Sequence, residues 1–171
     1  SMVIGSGNGV ATLTFAATGS PVLTVAGNVD VGNPGNQNRE GTITFTNGST
    51  LIANSLRLGT TGNQVGRITM TAGGLLRVNG AITVAGTSSV WTPGTGTLEL
   101  TANNTLPNTI ITSFNNLTIS SNTTTAGRAF SVGGTLTIAS AATLNMNTFA
   151  MTGATLTTSG TGTVRTQNTS A

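Results

Sequence analysis

Apolar and polar residues alternate along almost the whole chain with a period of two, the pattern of strands that bury one face and expose the other. A longer period lies over it. Residues 41–65 superimpose on residues 66–90, with Gly41/Gly66, Ile43/Ile68, Thr44/Thr69, Thr46/Thr71, Gly48/Gly73, Leu51/Leu76 and Asn54/Asn79 coinciding before any gap is needed. Short alternating strands inside a repeat of about 25 residues predict a solenoid whose coils stack on one another. The expected fold class is therefore all-β, a single parallel β-solenoid (β-helix) over residues 1–171, with about six coils of 25–30 residues. The rule for crossovers between parallel strands favours a right-handed coil.

Three strand types can be followed from coil to coil. The first carries Leu13 and Phe15, then Ile43 and Phe45, Ile68 and Met70, Leu98 and Leu100. The second and third are joined across a corner held by Gly or another small residue, as in Leu23, Val25, Gly27, Val29, Val31. Further copies of this corner are expected at Leu51–Leu58, Leu76–Val84, Phe130–Ile138 and Leu144–Met151. Between Leu100 and Phe130 the pattern implies one longer coil, with Leu106, Ile110, Phe114, Leu117 and Ile119 pointing inward. Interruptions of the repeat, read as loops, fall at 33–40 (NPGNQNRE), 91–96 (WTPGTG) and 122–128.

Composition narrows the chemistry. Thr is the commonest residue, Gly and Asn are abundant, charged residues make up 5%, and His, Cys, Lys and Tyr are absent. Thr, Asn and Gly are poor in helix interiors, which agrees with an all-β chain. Mean hydropathy is +0.18, yet no apolar run approaches the 18 or so residues of a membrane helix, so no membrane insertion is expected. The pI of 11.7 reflects scarcity of titrating groups, since the formal net charge is only +3. Arg39, Arg57, Arg67 and Arg77 fall on different strands with no aromatics between them, so no nucleic-acid partner is expected. Ser1-Met2 resembles a tag-cleavage scar, and the chain reads as one segment of a longer repeat protein whose parent is secreted or displayed at the cell surface.

Catalysis is not expected. Acid–base chemistry needs titratable groups held together, and Asp30, Glu40 and Glu99 are the only carboxylates. Asp30 and Glu99 fall about three rungs, roughly 14 Å, apart, beyond the ~5–9.5 Å of a glycosidase pair. Scattered carboxylates also predict no metal site, and nothing in the chain calls for a cofactor. The candidate contact residues are Trp91, in a corner where it can stack on a sugar or cover apolar surface, and Asn36 and Arg39 of the 33–40 segment. A face of outward threonines adds Thr42, Thr44, Thr46, Thr69 and Thr71, interrupted by Arg67 and by Glu99 of the Thr97-Glu99-Thr101 strand. Asp30 and Arg57, one rung apart on one strand type, should form an ion pair.

Residues 41–59 (GTITFTNGSTLIANSLRLG) resemble the autotransporter-associated β-strand repeats of large bacterial surface proteins, and 97–153 are similar to repeat regions of secreted adhesin-like proteins of Gram-negative bacteria. The resemblance implies a structural stalk or adhesion module, extracellular or at the cell surface, without catalysis. Its partners would be neighbouring repeats of the parent, or a second copy stacked end to end. Two alternatives stand beside it: glycan or surface binding through the segments 33–40 and 91–96, and ice binding through the threonine face.

Overall fold

In the computed structural model, which describes residues 1–5, 9–32, 40–59, 64–85 and 88–167, the chain is an all-β, parallel β-solenoid of about six turns. Its strands, in chain order, are β1 (Met2–Ile4), β2 (Val10–Thr14), β3 (Val22–Val31), β4 (Glu40–Thr44), β5 (Thr50–Leu58) and β6 (Val65–Thr69). There follow β7 (Leu75–Val78), β8 (Ile82–Val84), β9 (Val90–Thr92), β10 (Thr97–Leu100), β11 (Asn104–Thr105) and β12 (Ser113–Phe114). The last are β13 (Asn116–Ile119), β14 (Thr123–Thr125), β15 (Phe130–Ile138), β16 (Thr143–Asn145), β17 (Met151–Thr158) and β18 (Thr163–Arg165).

Each coil contributes to three faces. The first face begins as the parallel sheet β2-β4-β6-β9, in which Leu13, Ile43, Ile68 and Trp91 stand in register. The second face runs the length of the molecule. There Leu23, Leu51, Leu76, Leu98, Leu117, Leu136 and Leu156 occupy one column through β3, β5, β7, β10, β13, β15 and β17. Parallel in-register pairing sets each leucine on the one in the rung before it, and the five between Leu23 and Leu156 are fully buried. The third face starts with β1 and the second halves of β3 and β5, then β8. It resumes as the separate sheet β11-β14-β16-β18.

Gly41 and Gly66 coincide in the repeat for a steric reason. A Cβ on Gly41 would lie 2.3 Å from the carbonyl oxygen of Ile4, and one on Gly66 would lie 2.4 Å from that of Val31. The first face is thus pressed against the end of the preceding coil's third face, closer than any side chain permits.

Five expectations from the pattern are corrected by the structure. Leu98 and Leu100 belong to the second face, paired with Leu76 and Val78; the first-face strand of that coil is β9, and Pro93–Gly96 forms its corner turn. The interval between Leu100 and Phe130 is not one long coil. The leucine column advances by 28, 25 and 22 residues and then by 19, 19 and 20, so the coils shorten along the chain and most fall below 25 residues. In that interval Leu106, Phe114, Leu117 and Ile119 are buried as expected, but the deeply buried isoleucine is Ile111, with Ile110 only partly covered. Residues 123–125, expected in a connection, are β14.

The corner motif is also out of column in its last two copies. In β3 and β5 the continuous strand bends from the second face into the third, and β7 and β8 keep that register. In β15 it is Leu136 and Ile138, at the far end of the motif, that stack on Leu117 and Ile119 of the second face; Phe130 and Val132 precede the bend and pair with Met151 and Gly153 of β17. Leu144 lies in β16 and Met151 in β17, on different sheets. The continuous corner therefore moves from one edge of the second face to the other. Gly133-Gly134 sits at the β-bulge between Val132 and Thr135.

Truncating a leucine in the middle of the column leaves a cavity between two rungs that cannot close, because backbone pairing fixes their spacing. Leu76→Ala and Leu117→Ala are expected to cost about 2–5 kcal/mol each, whereas outward Thr69→Ser should stay within about 0.5 kcal/mol. Chemical denaturation of the three variants checks this order.

Candidate functional site

Three arginines pair with the three carboxylates across neighbouring rungs. Arg57 donates from Nε and Nη2 to the two carboxylate oxygens of Asp30, at 2.5 and 2.6 Å, as the register Asp30↔Arg57 in β3 and β5 requires. The side chain of Asp30 is almost covered and that of Arg57 is 42% exposed. The hydrogen bond to Asp30 holds the Arg57 guanidinium above its ordinary range. Arg67 donates from Nε and Nη2 to the two oxygens of Glu40, diagonally between β6 and β4, since the register sets Glu40 opposite Val65 and Arg67 opposite Thr42. Arg77 Nε donates to Glu99 at 2.8 Å between β7 and β10, and the Ser120 hydroxyl donates to the other oxygen of Glu99.

All three carboxylates of the chain are thus engaged by arginine, on outward positions of a paired rung. Asp30 lies on the third face and Glu99 on the second, where the first face had been expected for Glu99. Each carboxylate has an arginine partner of its own. Among the described residues no cluster of three metal-ligating side chains forms.

Trp91 points into the core. It is 9% exposed, its indole Nε1 donates to the carbonyl of Ser113 at 2.8 Å, and its ring meets Phe114 edge-on with centroids 6.2 Å apart. Phe114 in turn meets Phe130 at 5.3 Å. This aromatic run carries the first-face column from β9 to β12 and leaves no open ring face for stacking a sugar. Asn36 and Arg39 lie outside the described residues.

The threonine face is rearranged by the true register. Thr14, Thr44, Thr69 and Thr92 form one rank down the first face without interruption. The adjacent rank reads Thr12, Thr42, Arg67 and Val90, with Arg67 tied to Glu40. Thr97, Glu99 and Thr101 are on the second face or beyond its end and do not interrupt this one. Thr46 and Thr71 sit at the corner, where Thr46 N donates to Ser49 Oγ and the Thr46 hydroxyl donates to the carbonyl of Ala16. A second threonine array, absent from the sequence reading, covers the later coils of the second face: Thr118, Thr137 and Thr157 in one rank, with Thr135 and Thr155 in the next.

The pattern also gave no warning of a cleft of about 510 Å³ on the third face, bordered by Ile82 and Thr83 above and Asn104, Thr105 and Thr125 below. It opens where β8 and β11 fail to pair. The signal available in the sequence was Asn104 itself, a polar residue at an inward position.

No family model, curated protein or solved structure matches this chain.

The single tryptophan is a direct reporter of its own position. Its fluorescence is expected to be blue-shifted relative to the unfolded chain, protected from acrylamide, and unchanged by added oligosaccharides. A red-shifted, readily quenched emission would place the ring outside the core.

Proposed function

We propose that this chain is a structural segment, a stalk or adhesion module of a bacterial cell-surface or secreted protein, with no catalytic activity. The observation that carries this reading is the unbroken leucine column on the second face, continuous through every turn while the corners and coil lengths around it change. A stack built that way transmits load from rung to rung through backbone pairing and core contact, which is what a rigid spacer requires. The use of every carboxylate in an inter-rung tie supports the absence of catalysis. A neighbouring repeat or a second copy stacked end to end is the partner this reading implies. The extracellular setting and the autotransporter-associated repeat type rest on the sequence resemblance.

Ice adsorption is the second reading, favoured by the uninterrupted rank Thr14, Thr44, Thr69, Thr92; Arg67 and Val90 beside it limit the flat hydroxyl surface to a single rank.

An array of neutral and acidic glycans probed with the protein, with thermal hysteresis measured in parallel, tests the reading. A plain structural segment gives no saturable binding and no hysteresis. Saturable binding to one glycan class would replace it with a recognition module, and hysteresis with an ice binder.

A further inference from the structure

On the third face, as between β9 and β12 on the first, consecutive rungs are adjacent in sequence order but unpaired. The rungs of β7 and β10 are joined on the second face from Thr97↔Leu75 to Leu100↔Val78. Past the corner the same rungs separate: β8 pairs with β5 and β11 with β14, and no backbone hydrogen bond joins β8 to β11. Two strand edges therefore face each other across the cleft, and free edges of parallel strands accept another strand.

The floor of the cleft is unsatisfied. Asn104 is 7% exposed; its Nδ2 donates across the corner to the carbonyl of Gly80, while its Oδ1 is buried and has no partner. The next residue in the same inward column, Thr124, is fully buried with an unpartnered hydroxyl. A buried acceptor left unpaired is costly, so the site calls for a donor that enters between the rungs. Charged groups do not line the cleft, and its rim carries the hydroxyls of Thr83, Thr105 and Thr125.

We propose that this cleft is a peptide-binding site, in which a short, uncharged, extended segment inserts between β8 and β11 as a parallel strand. The inserted strand takes up both free edges with its backbone, and its inward-facing residue donates a hydrogen bond to Asn104 Oδ1. Strand geometry fixes that residue as one with a short donor side chain, such as threonine or serine, flanked by outward-facing neighbours. The site lies apart from Trp91 and the first-face threonines, and it goes beyond the structural role proposed above without depending on it.

The test uses a blocked pentapeptide copying residues 122–126, whose central threonine matches the inward position of β14. Titrated into ¹⁵N-labelled protein, it is expected to shift amide resonances confined to residues 81–85 and 103–105. Asn104→Leu, which fills the inward position with an apolar group and should remain folded by its melting curve, is expected to weaken binding by about tenfold or more. A peptide with proline at its centre lacks the backbone donor and should not bind. Absence of shifts at millimolar peptide would overturn the proposal. So would equal binding by the proline peptide, by Asn104→Leu, or by maltotriose, since each would show that neither strand pairing nor the Asn104 acceptor governs the site.

Discussion

Parallel, in-register pairing of consecutive coils is the constraint on which the rest of this structure depends. It holds successive rungs about 4.8 Å apart and sets equivalent residues directly on one another, so every position in a coil must suit its counterparts above and below. On the second face leucine meets that demand repeatedly. On the outward side the same rule brings Asp30 onto Arg57 and Glu99 onto Arg77, and sets Arg67 diagonally within reach of Glu40. Arg67–Glu40, the pair most open to solvent, contributes only about 0–1 kcal/mol. The larger effect of the three pairs is on register, because a slip by one residue would carry a charge to the inward face.

The coil outline is far freer than the column. Coils shorten along the chain, and the continuous bend moves from the edge shared with the third face to the edge shared with the first. Leu23–Val31 and Phe130–Ile138 are alike in sequence because each runs through a bulged corner, with an extra residue relative to the next strand in both cases. A corner needs only two inward pairs and small residues between them. Which two faces it joins depends on how many residues remain to close the coil.

That freedom explains what could be read from the sequence. The period of two, the 41–65 to 66–90 repeat and the three early corner copies are local patterns, and they give the fold and the Asp30–Arg57 pair. Assignment failed where similar letters serve different faces: Thr97-Leu98-Glu99-Leu100 alternates just as Thr42-Ile43-Thr44-Phe45 does, and only its pairing with β7 and β13 places it on the second face. Trp91 looked like a loop residue because Pro93 and Gly94 follow it, yet those residues form the corner after a short strand. The cleft at Asn104 depends on two rungs diverging past a corner, a property of the stack with no counterpart in the local pattern.

The register of the later coils is the most direct test, since the leucine column rests on it. The chain has no cysteine, so engineered pairs report cleanly. Paired positions on adjacent parallel strands lie about 4.8 Å apart, within the Cα separation of about 4.4–6.8 Å that a disulfide spans. Under mild oxidation, Thr118→Cys with Thr137→Cys is expected to cross-link within the folded monomer, and Thr118→Cys with Thr157→Cys, two rungs apart, to remain reduced. Cross-linking of the second pair in place of the first would contradict the column and the solenoid built on it.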